Sequence, residues 1–254
     1  MKQYISIKNY RWKIYEDINV VRLLRLFFAE LLGTAILVFL GCMADVLLES
    51  KIQIAFAFGF GAMVAIETFI NTSGANINPA VSIGLFIMGR NALIDLPLYI
   101  IGQFVGGIAG HALMMIILSK DDENNYVSVK GVPCCCPIKG SYVGDYPACL
   151  CEFFLTFLWV VAIGAAYDWR NRDRLDSVSA RIGLVITGLY LAGASISGAS
   201  MNPARALGPS VNNHFFDDFY WIYYVGPLMG GIIGSVFYRA LFQIPEPGVD
   251  DVET

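Results

Sequence analysis

Charge is what this sequence has least of. Asp, Glu, Lys and Arg make up 15% of its 254 residues, against 56% hydrophobic, whereas soluble domains carry about 25% charged residues. Such a chain cannot cover a normal wetted surface, and a mean hydropathy of +0.59 makes lipid the better solvent. The formal net charge is −4; without a basic surplus, nucleic acid is excluded as a partner. Histidine is scarce too, and His111 and His214 stand alone. No metal-ligand cluster, Gly-rich phosphate loop or Ser/His/acid set emerges, so no metal, cofactor or catalysis is expected. The six cysteines match no usual zinc spacing: Cys134, Cys135 and Cys136 are consecutive, with Cys149 and Cys151 close by. A structural or incidental role is all they call for.

What the chain has instead is apolar runs. Six candidate spans cover roughly 26–48, 52–70, 93–118, 148–167, 180–197 and 219–242, most of them near the roughly 20 residues a helix needs to cross the hydrocarbon. The first is too long, and lacks the cleavage site, for a removed signal. Two further apolar pieces, starting at Asn78 and Asn202, are only about ten residues long, the length of a re-entrant segment. Asn-Pro suits such a start, because Asn caps free N–H groups and Pro sits comfortably in a first helical turn. Basic residues gather before the first span (Lys2, Lys8, Arg11, Lys13, Arg22, Arg25) and between the fourth and fifth (Arg170, Arg172, Arg174, Arg181). The positive-inside rule puts both groups in the cytoplasm, as six spans require of both termini. The expected organisation is a cytoplasmic segment 1–25, a membrane domain 26–242 and an acidic tail 243–254. The membrane domain divides into halves 26–118 and 148–242 around an extracellular loop 119–147.

The halves repeat. "SGANINPA" at 73–80 is echoed by "SGASMNPA" at 197–204, so Asn78 and Asn202 stand 124 residues apart, as do the glycine runs "GGIAG" at 106–110 and "GGIIG" at 230–234. Glu30 and Glu152, each early in its half's first span, differ by 122. Three spans per half force the halves into opposite orientations, an inverted repeat. Both short segments then enter from opposite faces and meet near the midplane. Their N-terminal ends bring free N–H groups and partial positive charge together, with Asn78 and Asn202 facing a lumen. A water there accepts hydrogen bonds from both amides, while cations are opposed. The preceding Gly74-Ala75-Asn76 and Gly198-Ala199-Ser200 leave backbone carbonyls as a ladder of acceptors, permissible at that depth only where they line a cavity or are buried in protein.

On Asn78-Pro79-Ala80 and Asn202-Pro203-Ala204-Arg205, the chain resembles the aquaporin, or major intrinsic protein, family over roughly residues 25–242. The resemblance implies an all-α membrane fold of six transmembrane helices and two re-entrant half-helices, assembled as a homotetramer in the plasma or a vacuolar membrane. It implies an outer constriction formed by Phe58, Tyr190, Ala199 and Arg205, with buried Glu30 and Glu152 accepting hydrogen bonds from the re-entrant loops. Many water channels of the family have His where Tyr190 stands. Ala206 after the motif's Arg, where glycerol facilitators have Asp, and the aromatic pair Tyr223-Tyr224 favour water over glycerol. The reading is a passive water channel, with water and membrane lipid as its partners. Alternatives are a channel for glycerol, urea or ammonia, and a poorly conducting member with a junctional or adhesion role. A secondary transporter is weaker, for want of an ion site. Ordinary helix packing for Phe58 and Tyr190, and interfacial anchoring for Tyr223 and Tyr224, stay open. Ser177 and Ser179 lie in the basic loop, as solvated residues or phosphorylation sites.

Overall fold

The structure is a computed structural model that describes residues 3–7, 10–15, 19–47, 50–118 and 135–244. Cys134, residues 119–133 and the acidic tail from residue 245 lie outside the described residues. The first half contributes α1 (Val20–Leu47), α2 (Lys51–Ser73), the short α3 (Pro79–Ile87) and α4 (Leu96–Ile117). The second contributes α5 (Asp145–Ala166), α6 (Val178–Gly193), the short α7 (Pro203–Asn213) and α8 (Ile222–Leu241). Five of the six spanning helices, counting the 3-10 turns that lead into α4 and α8, meet the length and apolarity of a membrane crossing. The exception, α6, has 16 residues, about 24 Å of helix, and a run of turn continues it to Ser197. Together they form a multi-pass, all-α membrane fold. A β-hairpin of β1 (Gln3–Ile7) and β2 (Tyr10–Tyr15) precedes it, an addition that hydropathy did not announce.

The first helix begins at Val20 rather than near residue 26. Asn19 caps it, its Oδ1 accepting from the N–H groups of Val21 at 2.9 Å and Arg22 at 3.4 Å. Arg22 then makes a two-pronged ion pair with the buried Asp95 at 2.9 and 2.7 Å. A charged first turn is thereby stabilised by a partner far away in sequence.

The two halves are built alike. Helix α1 packs on α2 and α4 as α5 packs on α6 and α8; α4 holds α7 while α8 holds α3, and α2 meets α6 across the centre. The glycine runs make the close crossings. A Cβ on Gly106 would come within 2.2 Å of the Leu31 carbonyl oxygen, and one on Gly230 within 2.3 Å of Phe153's. A Cβ on Gly107 would meet the Ala204 carbonyl at 2.3 Å, and one on Gly231 the Ala80 carbonyl at 2.6 Å. Each short helix is therefore clamped at its first turn by a glycine of the opposite half. The outward faces are apolar at helical spacing, with Leu24, Phe28 and Leu32 exposed on α1 and Leu150, Phe154 and Leu158 on α5. That is the surface of a protein dissolved in lipid.

Candidate pore

The site starts from two capped helix ends. Asn78 and Asn202 are extended residues preceding Pro79 and Pro203. Asn78 Oδ1 accepts from the Ala80 N–H at 2.9 Å; Asn202 Oδ1 accepts from Ala204 at 2.9 Å and Arg205 at 3.3 Å. Capping by the oxygen fixes which end of each amide is nitrogen. Asn78 Nδ2 donates to the Met201 carbonyl and Asn202 Nδ2 to the Ile77 carbonyl, both at 2.8 Å. The two motifs are thus laced together, each holding the loop that leads into the other. Each amide commits one N–H to this lacing and keeps a second.

The loops before the motifs share one backbone course. Gly74 and Gly198 take φ of 87° and 91°, where a glycine suffers no Cβ penalty. Ala75 and Ala199 follow at 49° and 47°, and Ile77 and Met201 at 48° and 53°. Left-handed backbone at Ile77 is a conformation a β-branched residue adopts only under constraint, and the constraint is a buried carboxylate. Glu30 accepts from Ser73 Oγ at 2.6 Å, Asn76 N at 2.9 Å, Ile77 N at 2.8 Å and Gln103 Nε2 at 2.7 Å. Glu152 accepts from Ser197 Oγ at 2.7 Å, Ser200 N at 2.9 Å and Met201 N at 2.6 Å. Both glutamates are fully buried, and these donors offset the cost of placing a carboxylate there. With the N–H groups turned to glutamate, no described residue donates to the carbonyls of Ala75, Asn76, Ala199 or Ser200.

Two tyrosines complete these supports: Tyr99, which sequence reasoning missed, and Tyr223, whose bracing role it missed. Tyr99 donates to the Ser73 carbonyl at 2.5 Å, and Tyr223 to the Ser197 carbonyl at 2.8 Å. Tyr223 is therefore a buried brace rather than an interfacial anchor, while Tyr224 is only partly buried. The offset of 124 residues relates Ser73 to Ser197 and Tyr99 to Tyr223, so the signal was there. Gln103 also bonds Ser82 Oγ at 2.8 Å and has no counterpart, Pro227 standing 124 residues on.

Phe58, Tyr190, Ala199 and Arg205 converge. The Phe58 and Tyr190 rings stack with centroids 5.4 Å apart and planes inclined by 23°. The Arg205 guanidinium lies 4.7 Å over the Phe58 ring and donates through Nη1 to the Cys135 carbonyl at 2.9 Å. All four line a cavity of about 20 Å³, as does Asn202; about one water fits such a space. A second cavity of about 10 Å³ lies against Gly74, Ala75, Asn76 and Ile77. Trp159 lines both cavities.

Cys135 is joined to Cys42 of α1 by a disulfide, a pairing the cysteine spacing did not reveal; Cys136, Cys149 and Cys151 are free. Burial raises the Cys136 thiol above its ordinary pKa, so it stays protonated. His111 is buried beside Asn212, Nδ1 to Nδ2 3.2 Å, and His214 ends α7 with a φ of 53°. Ser179 is buried and donates to Glu67 at 2.5 Å, while Ser177 is exposed. In the turn after α5, Asp168 is held down at about 2, chiefly by the Arg170 guanidinium at 2.7 Å. Among the described residues, no group of three His, Cys, Asp or Glu is placed to hold a metal ion.

Residues 17–238 match the family described as Major intrinsic protein. The chain is 33% identical to aquaporin-2 of Rattus norvegicus over 229 residues, 89% of this chain and 81% of that one. It is 35% identical to the lens fiber major intrinsic protein of Lithobates pipiens over 218 residues, 84% of this chain and 80% of that one. Among solved structures, the aquaglyceroporin from Plasmodium falciparum superposes with a TM-score of 0.79 over 86% of this chain and 96% of that one; at 22% identity it speaks for the fold alone.

Proposed function

The chain belongs to the major intrinsic protein family of passive membrane channels, and from that premise we propose that it conducts water, excludes protons and ions, and admits glycerol poorly. The observation that carries this reading is the outer constriction: two stacked rings and a guanidinium around room for about one water. Glycerol, with a three-carbon backbone and three hydroxyls to satisfy, is larger than the space beside these rings, which supports a preference for water. Similarity to a protein named aquaporin-2 points the same way.

Conduction follows from the lacing of Asn78 and Asn202. A water crossing the midplane accepts from the second N–H of each amide, and both half-helix ends turn partial positive charge toward it. Its oxygen is held by donors while its hydrogens face the carbonyls of Ala75, Asn76, Ala199 and Ser200, so it passes in single file along a ladder of acceptors. Hydronium and metal cations meet two positive helix ends and Arg205. Transport is downhill along an osmotic gradient and needs no energy source. Each subunit of a homotetramer carries its own pore, with both termini cytoplasmic, in a plasma or vacuolar membrane. Residues 26–242 form the channel, between a cytoplasmic segment and an acidic tail.

Replacing Tyr190 by Gly tests the constriction. The Tyr190→Gly variant, reconstituted in vesicles, is expected to take up glycerol at a rate the parent does not reach, with water permeability kept or raised. A variant that stays closed to glycerol places the barrier elsewhere.

A further inference from the structure

The disulfide sits beside the outer constriction. Cys42 and Cys135 are both buried, and their Cα atoms lie 5.2 Å apart across 93 residues of sequence. The carbonyl of Cys135 is the acceptor for Arg205 Nη1, at 2.9 Å. The residue before Cys42, Gly41, is where the Phe58 ring rests: a Cβ there would come within 2.1 Å of the ring. Arg205 lies in turn on Phe58 at 4.7 Å. A closed circuit results, from Gly41 to the Phe58 ring, to the Arg205 guanidinium, to the Cys135 carbonyl, and through the disulfide back to Cys42.

Cys135 has a φ of 61°, a left-handed conformation that a non-glycine residue holds only when its surroundings fix it. Beyond it, a Cβ on Gly198 would stand 2.9 Å from the Ile138 nitrogen, so this strand of loop lies directly over the second re-entrant loop. A guanidinium on a long flexible stem is aimed only as well as its acceptor is fixed. Here the acceptor is a loop carbonyl fastened covalently to the helix that backs Phe58.

We propose that the Cys42–Cys135 disulfide is a selectivity device: it fixes the carbonyl that positions Arg205 and thereby sets the width of the outer constriction. Cys42 and Cys135 act through Arg205, as positioning residues. The inference rests on Arg205 lining the conducting path.

The test measures glycerol and water permeability on the same proteoliposomes and takes their ratio, for the parent, Cys42→Ala/Cys135→Ala, Arg205→Val, and the triple variant. Loss of the tie is expected to raise the glycerol-to-water ratio about tenfold, the discrimination one well-aimed charged hydrogen bond supplies. The triple variant should go no further than Arg205→Val alone, since both changes release the same group. A cysteine variant that is merely less stable loses both permeabilities together and leaves the ratio alone. An unchanged ratio in that variant, with Arg205→Val raised, overturns the proposal and leaves the pore reading intact. An unchanged ratio in Arg205→Val overturns the pore reading itself.

Should the double variant fail to fold, the assembled parent is treated with a dithiol reductant. The reductant's two thiols close to a disulfide, and Cys42 and Cys135 each take up one electron and one proton. The fraction cleaved is scored by thiol labelling after denaturation, over doses carried to full cleavage. A ratio that climbs with that fraction supports the proposal; a flat ratio overturns it.

Discussion

Truncating Glu152 to Ala removes a side chain that touches no lumen, yet the second half of the pore should fail with it. Glu152 Oε1 accepts from Ser197 Oγ and Ser200 N, and Oε2 from Met201 N. The two backbone N–H groups belong to a loop whose Ala199 and Met201 sit at positive φ, so no regular ladder is available to take them. Each buried donor left unpaired costs about 1–3 kcal/mol. Ser197 Oγ, which itself accepts from Ala199 N at 3.2 Å, loses its orientation as well. For the two backbone donors together the penalty is about 2–6 kcal/mol before any cavity cost. For a chain of this size, where 1 kcal/mol moves Tm by about 2–4 °C, the fall is on the order of 10 °C. Glu152→Gln keeps one acceptor oxygen but turns an NH2 toward an N–H, so it should fall between parent and Ala. The assay is thermal unfolding of detergent-purified protein by tryptophan fluorescence, beside osmotic permeability per reconstituted channel. A Glu152→Ala variant that melts within about 2 °C of the parent and conducts water fully refutes the reasoning that this carboxylate holds the loop.

Three further outcomes follow from the same geometry. Gly107→Ala should destabilise by about 1–3 kcal/mol, because its Cβ would lie 2.3 Å from a backbone oxygen of Ala204; Gly188→Ala, with nothing within 4 Å, should be neutral or slightly stabilising, and equal melting of the two would contradict the clamp. Asp168 has its pKa lowered from 3.8 to about 2, first by its hydrogen bond to Arg170, so its contribution is present above pH ~4 and lost as pH falls toward about 2. Asp168→Asn should therefore cost about 1 kcal/mol near neutrality, allowing for screening at the half-exposed Arg170, and its melting curve should approach the parent's only at the acid end of that window. Arg205→Val should increase proton leak across vesicles under a pH gradient, measured with an entrapped dye; an unchanged leak removes Arg205 from ion exclusion.

How much of this was legible in the sequence depended on whether a feature was periodic or singular. The six spans and two half-helices were readable because hydropathy and the Asn-Pro starts are local signals, and the observed helices run close to the expected ranges. The offset of 124 residues carried Asn78 to Asn202, Ser73 to Ser197 and the glycine runs to each other, and it would have carried Tyr99 to Tyr223 had it been followed further. The start of α1 was misplaced because Arg22 counts against a span in any hydropathy sum, while its partner Asp95 lies 73 residues away. Cys42 and Cys135 could not be paired in advance: six cysteines allow fifteen connectivities, and only the packing of the loop against α1 selects one. Gln103 breaks the repeat, so symmetry could not find it. The crosswise bonds from Asn78 to Met201 and from Asn202 to Ile77 were hidden for another reason. The sequence places both amides at the midplane, but says nothing of how one hydrogen of each is used.

The central claim is that water crosses between Asn78 and Asn202 and that little else does. The direct measurement is stopped-flow light scattering of proteoliposomes holding the full chain, shrunk by an impermeant osmolyte and separately challenged with glycerol. The account expects shrinkage far faster than in protein-free vesicles, with a low activation energy and no glycerol uptake above background. Shrinkage no faster than in empty vesicles would contradict it, as would glycerol entering as readily as water.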